Sequence, residues 1–172
     1  MTSPYDRFPP VPALEVTSAA VVDGGDFAAP QYSATFGVDG GEDRSPQLRW
    51  TGAPENTKSF VVSVYDPEAP TPSGFWHWMV VDLPADATEL PAGISALPGG
   101  AWTVKNDARA ARFIGAAPPA GAVDHYAIAV QALDIASVSE LGVDEEATPA
   151  FISFSILSHV IARGVITGIG RQ

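Results

Sequence analysis

Apolar residues in the middle of this chain recur at every second position. Phe60, Val62 and Val64 alternate with Val61, Ser63 and Tyr65, and the same period places Asp66 on the Phe60 face. Period two belongs to an extended strand, whose side chains point alternately to its two faces. In the segment from Phe75 to Pro84, His77, Met79, Val81 and Leu83 share one face, while Trp76, Trp78 and Val80 share the other. Both faces are apolar, so this second strand is expected to be covered on both sides. Pro67, Pro70, Pro72 and Gly74 lie between the two strands and mark a chain reversal. A carboxylate therefore ends one strand and an imidazole stands near the start of the next. A buried carboxylate is costly without a partner, and His77 is the nearest candidate in sequence.

Further alternation predicts strands at Leu14–Ser18, Gln31–Gly37 and His125–Leu133, with a short one at Val165–Ile169. Val21–Asp26 reads as a strand end and turn, and Leu48 and Trp50 share a face in a short turn-flanked piece. Residues 1–13 are proline-rich and read as an extended arm, and residues 84–112 read as a long surface loop. Ala136–Leu141 fits a helical turn. The spacing of Ala150, Phe154, Leu157 and Ile161 predicts a helix over 148–162, capped by Thr148 with Pro149 in its first turn and stopped at Gly164. Phe151, Ile152, Ile156 and Val160 make that helix apolar almost all round, so it is expected to be covered either by its own fold or by a second subunit, and a homodimer is an expected state.

Composition agrees with one mainly β domain spanning 1–172. The 172 residues hold 16 prolines and 16 glycines, which favour many short strands and turns with few helices. At 46% hydrophobic and 17% charged, the chain has enough apolar matter for a core. Twenty acids against nine bases give a net charge of −11, which argues against nucleic acid as a partner. There is no cysteine, so thiol catalysis and cysteine metal sites are excluded. The start of the chain lacks the pattern of a secretory leader, and no apolar run reaches membrane-spanning length. The expected setting is cytoplasmic.

Candidate chemistry is sparse. His77, His125 and His159 show no metal-ligand spacing, and neither a nucleophile elbow nor a phosphate loop occurs. The expectation is a protein without catalytic activity, cofactor or metal. Gly115-Ala-Ala-Pro118-Pro119 fixes a rigid turn whose N–H groups at 115–117 form a candidate anion nest. Read as isolated residues, Asp66 is more often a turn starter and His77 a satisfied core histidine.

Taken together, these segments resemble a known family. Ser45-Pro-Gln-Leu-Arg-Trp50, Thr57-Lys-Ser-Phe60, Val64-Tyr-Asp-Pro-Glu-Ala-Pro70, Phe75-Trp-His-Trp78, Asn106-Asp107, Gly115-Ala-Ala-Pro-Pro-Ala-Gly121 and His125-Tyr126 occur in the order found in phosphatidylethanolamine-binding proteins of the bacterial branch. The resemblance implies a β-sandwich with a large central sheet. It also implies a small pocket for a phosphate-like anion or phospholipid headgroup. By motif, the pocket residues are Asp66, His77, Gly115, Ala116, Pro118, Pro119 and Tyr126. His77 is expected to donate to the anion, with Asp66 orienting it. A cis peptide at Ala69–Pro70 is implied as well. Relatives also suggest an inhibitor or modulator of kinases or serine proteases as the alternative role. One departure stands out. Asp124 occupies the position where the family usually carries a pocket histidine, and His125, one residue on, faces the other way. An extra carboxylate at the rim weakens anion binding unless it turns outward.

Overall fold

In a computed structural model describing residues 3–172, the chain forms two β-sheets stacked over a shared core. The strands are β1 (Glu15–Thr17), β2 (Gly25–Asp26), β3 (Leu48–Thr51), β4 (Ser59–Asp66), β5 (Phe75–Pro84), β6 (Glu89–Leu90), β7 (Trp102–Thr103), β8 (Val123–Leu133) and β9 (Val160–Arg171), with one helix, α1 (Pro149–Ser155). The large sheet has the order β2-β9-β8-β4-β5-β7 and the small one β1-β3-β6. All pairs are antiparallel except β2 with β9. Leu48, Trp50 and Leu90 of the small sheet meet Phe60, Val62 and Val64 of β4 between the layers. On the outer face of the large sheet, Val61, Met79 and Val81 pack under Ile152 and Ile156. The expected sandwich with a large central sheet is thus the observed fold. No helix among the described residues is long and apolar enough to cross a membrane.

The register of β5 against β4 is broken twice. Val64 opposes Trp78 and Tyr65 opposes Trp76, so His77 is an extra residue without a partner on β4. A bulge of this kind re-aims a side chain and changes which residues share a face. His77 consequently stands edge-on to Tyr126, at 5.1 Å between ring centres. Simple alternation put it with Met79 instead. The second break, between Phe60 and Val62, brings Leu83 round to the inter-sheet core with Trp78 and Val80. Asp82 at that break has φ 59°, and its carboxylate accepts from Ser137 Oγ at 2.9 Å and the Val138 amide at 2.8 Å.

Several expectations are corrected. The helix is seven residues, not fifteen, because Val160–Arg171 is drawn into a twelve-residue strand along β8. Gly164 lies inside that strand rather than ending a helix. A Cβ there would stand 2.5 Å from the Leu14 carbonyl oxygen, so the glycine lets the segment before β1 cross β9 closely. Phe151 and Phe154, 50% and 77% exposed, are not covered within the chain. Residues 31–37 form turns, not a strand. The Ser33 hydroxyl accepts from the Phe36 amide, and the Val38 amide returns to the Ser33 carbonyl. The arm is not extended throughout, since the described part turns at residues 4–7 and buries Tyr5, whose hydroxyl meets Ser63 Oγ at 2.9 Å. The Ala69–Pro70 peptide is trans. The Asp66 carboxylate makes the reversal instead, accepting from the amides of Glu68 and Ala69 at 2.8 and 3.0 Å.

The long segment 84–112 holds β6 and β7 and is pinned by Asn106. Its amide donates to the carbonyls of His77 and Arg112, each at 2.9 Å, and its oxygen accepts from the amides of Ala108 and Ala110, each at 3.1 Å. Asn106 is buried; the His77 carbonyl has a second donor in the Ile114 amide, and the other three groups have Asn106 as their partner. Asn106→Ala is expected to cost about 2 kcal/mol in urea unfolding, since it removes four hydrogen bonds and leaves the part-buried Arg112 carbonyl and Ala108 and Ala110 amides without this partner. Asn106→Asp should do no better, because its carboxylate faces two carbonyls. A loss below about 1 kcal/mol for either variant contradicts this account.

Candidate functional site

A cavity of about 330 Å³ opens at one end of the large sheet, where β4 and β5 meet and β8 begins. Asp66 is the last residue of β4 and is 2% exposed. It is opposed by Phe75, the first residue of β5. The bulge brings His77 to the same wall, and alternation along β8 delivers Asp124 and Tyr126 together. Pro118 and Pro119 close the far side, while Phe36, edge-on to Phe75 at 6.1 Å, stands half-exposed at the mouth.

The charges are unusual for an anion site. His77 is 4% exposed, and burial lowers its pKa to about 4 against the opposing pull of the Ile114 and Gly115 backbone. Its Nδ1 lies 2.9 Å from the Ile114 carbonyl oxygen, which assigns the proton to Nδ1 and leaves Nε2 as a lone pair in the neutral ring. At neutral pH the ring is therefore an acceptor, not the charged donor expected. Burial also raises the Asp66 carboxyl to about 6. The Glu68 and Ala69 amides resist that rise, while the nearby Asp124 and Glu68 carboxylates add to it. Burial and then Glu68 push Asp124 up. The Tyr126 hydroxyl is also pushed up, by burial and then by Asp66 and Asp124. Asp124 Oδ2 and the Tyr126 hydroxyl are buried and make no hydrogen bond of good geometry among the described residues, although both lie close to the Asp66 carboxylate and the hydroxyl lies close to the Ala117 amide. None of the residues lining the cavity is Lys or Arg.

The turn behind the cavity is engaged at two of its three candidate amides, while the third, Ala117, is on the cavity wall beside the Tyr126 hydroxyl. The Gly115 amide donates to Asp43 Oδ1 at 2.8 Å and the Ala116 amide to the Gln31 carbonyl at 2.9 Å. These two N–H groups are not available as an anion nest. A Cβ on Gly115 would lie 2.3 Å from the carbonyl carbon of Tyr32, so only glycine fits this crossing. Asp43 is the hub. Its carboxylate also accepts from the Thr35 hydroxyl and amide and pairs with Arg112 at 3.3 Å. Burial alone raises its carboxyl, but the hydrogen bonds from Thr35, Gly115 and Ser33 outweigh that and hold it at about 2.

Of the seven residues expected at the site, Asp66, His77, Pro118, Pro119 and Tyr126 line the cavity. Gly115 and Ala116 sit behind it and shape it. Asp66 does not orient His77, because its Oδ1 is committed to the turn amides and the ring to Ile114. His125 faces away and bonds Glu68 Oε2 at 2.8 Å. Asp124 turns inward, being 5% exposed. Its spacing of two from Tyr126 was the available signal. Asp43 and Phe36, on a turn-rich stretch far away in sequence, gave none.

The comparisons with known proteins agree with this architecture. An Escherichia coli protein, YbhB, is 44% identical over 138 residues, covering 78% of this chain and 85% of its own length. Another E. coli protein, YbcL, is 40% identical over 163 residues, covering 91% of this chain and 87% of its own. The crystal structure of YbcL, described as a new member of the mammalian PEBP family, superposes with a TM-score of 0.85. That match has 38% identity and covers 92% of this chain and 98% of that one. The sequence profile of the phosphatidylethanolamine-binding proteins matches residues 17–171, and with nearly the whole sandwich and its cavity inside that span, the chain belongs to this family.

Proposed function

We propose that this is a binding protein without turnover, holding a small polar ligand of the phospholipid-headgroup class in the cavity at the ends of β4, β5 and β8. One observation carries the reading: Asp66, His77, Asp124 and Tyr126, from three strands, converge on the wall of this one cavity. A concave site with apolar walls and a few converging polar side chains is the usual form of a small-molecule binding site. The family name supplies the headgroup class. Turnover is not part of this reading. The Thr71 hydroxyl on the cavity wall is bonded to the Gly74 carbonyl, the Tyr126 hydroxyl is less acidic than a free phenol, and His77 is a weak base. No poised nucleophile–base pair results.

Titration with phosphoethanolamine, followed by amide and side-chain NMR shifts, should move signals of Asp66, His77 and Tyr126. His77→Ala, which removes part of the cavity wall, should weaken binding by about 1–3 kcal/mol. His125→Ala should change it little, because that ring pairs with Glu68 outside the cavity. Shifts confined to another surface, or a larger effect from His125→Ala, would remove the assignment.

The exposed Phe151 and Phe154 support a homodimer as the working state, and the Phe154 ring lines a cleft with Tyr5, Phe8 and Trp76. Light scattering at micromolar concentration is expected to return about twice 17.9 kDa, and Phe151→Ser with Phe154→Ser to return the single mass. A wild-type mass of 17.9 kDa ends the dimer proposal.

A further inference from the structure

We propose that the cleft between the N-terminal arm, α1 and the outer face of the β4–β5 end is a second ligand site, for a small aromatic carboxylate that packs among its rings and pairs with Arg7. This site is independent of the cavity described above. Tyr65 and Trp76 line the cleft, and their strand neighbours Asp66, Phe75 and His77 line the cavity on the other side of the hairpin. The cleft encloses about 270 Å³. Small-molecule sites usually span roughly 300–1,000 Å³, so this one admits a single ring system with a short acid arm rather than a lipid chain.

Its walls are in place without a ligand. Tyr5 is buried against Ala127 and Ala129, and its hydroxyl meets Ser63 Oγ at 2.9 Å. The Arg163 guanidinium stands 5.5 Å from the ring centres of both Tyr5 and Phe8, and those two rings meet edge-on at 5.9 Å. The arm is thereby held against the sheet as a fixed wall. A second wall is the pair Tyr65 and Trp76, with ring centres 4.5 Å apart. Gly74 makes room for it, since a Cβ there would collide with the Tyr65 ring and hydroxyl. Phe154 of α1 stands exposed at the mouth. Aromatic side chains from three separate parts of the chain thus converge on one hollow.

Charge selects the ligand. The Tyr65 hydroxyl donates to the Ser73 carbonyl at 2.8 Å and the Ser153 hydroxyl to the Pro149 carbonyl at 2.8 Å, so both protons are spent. Arg7 has no carboxylate within ion-pair distance among the described residues. Its guanidinium lies 5.4 Å from the Phe8 ring centre, and its N–H groups can pair with a ligand. Burial pushes the Tyr65 hydroxyl up; Arg7 opposes that rise, while Asp66 and Asp107 add to it, so the Arg7 charge reaches into the cleft. Neither Asp nor Glu lines the cleft, in a chain of net charge −11. A carboxylate matches the guanidinium in charge and in its two-pronged shape. An amine of the same size meets a like charge, and an aliphatic acid forgoes the ring contacts. A second copy packed symmetrically here would bring Arg7 another cation rather than a carboxylate.

The test is calorimetric and NMR titration with indoleacetate, phenylacetate, tryptamine and hexanoate. The two aromatic acids are expected to bind with dissociation constants below about 1 mM and to shift the Tyr65, Trp76 and Phe154 signals. Tryptamine should bind at least about tenfold more weakly than indoleacetate, and hexanoate severalfold more weakly than phenylacetate. Arg7→Gln should weaken indoleacetate about tenfold with the melting temperature close to wild type, because the side chain is exposed. Arg7→Lys should recover part of the loss. Ala150→Trp, at an exposed position on the wall, should block binding. The proposal is overturned if tryptamine binds as tightly as indoleacetate, or if Arg7→Gln leaves indoleacetate unaffected. It is equally overturned if the acids shift only signals of the cavity at β4, β5 and β8, or none at all. Cleft signals that respond to dilution of the protein but not to the acids assign the cleft to a second copy, which also overturns it.

Discussion

Strand β4 has a neighbour on each side and apolar layers on both faces, and the site follows from that enclosure. Its residues from Ser59 to Val64 are buried, and β5 and β8 pair along nearly its full length. The chain cannot turn away until β4 has carried Asp66 to the end of the sheet, still only 2% exposed. A carboxylate in such a position loses most of its hydration. Two amides of the following turn restore part of what is lost, and the raised pKa of Asp66 is the part they do not restore. The cavity is therefore built round a group that the fold holds in an unfavourable place.

What surrounds that group is held by polar side chains more than by regular structure. Asn106 ties the segment before the Gly115 turn to the backbone of His77, and Asp43 ties the turn itself to Thr35 and Arg112. Each saturates several buried backbone or hydroxyl groups at once, which long connections need when they lack a ladder partner. The bulge at His77 has a related effect. By inserting one residue opposite β4 it directs the ring towards Tyr126 and frees its carbonyl for the Ile114 amide and Asn106. The site is thus fixed from behind.

How far the sequence revealed this depended on the physics of each part. The alternation at Phe60–Val64 and Tyr126–Val130 marked β4 and β8 correctly because both strands have a regular period. The stretch Phe154–Ile161 misled, since apolar residues at helical spacing also satisfy period two over a short span, and the pairing of β9 with β8 decided the outcome. Simple alternation also put His77 on the wrong face, because a bulge leaves no mark in composition. Asp66, His77 and Tyr126 were legible through the family motif, and Asp124 through its place two residues before Tyr126. The protonation of His77 was not legible, because it depends on the Ile114 carbonyl and on burial, both products of tertiary structure.

Asp66 and His77 also couple the cavity to stability in opposite senses. Asp66 is raised above its ordinary value of 3.8 to about 6, so the folded state holds its proton more tightly, and the stability gained at low pH is lost as pH rises through about 6. His77 is lowered from 6.5 to about 4, so its contribution is present above 6.5 and lost as pH falls through about 4. Between about 4 and 6 the two trends oppose each other. Across that window the charge of the cavity changes while the linked stabilities offset. The charge of the cavity can therefore change with pH without the sandwich beneath it weakening in step. Asp124 sharpens the effect. It lies on the same wall as Asp66, and burial and then Glu68 raise its own carboxyl, so this end of the sheet concentrates acidic groups that hold their protons more tightly than free carboxylates.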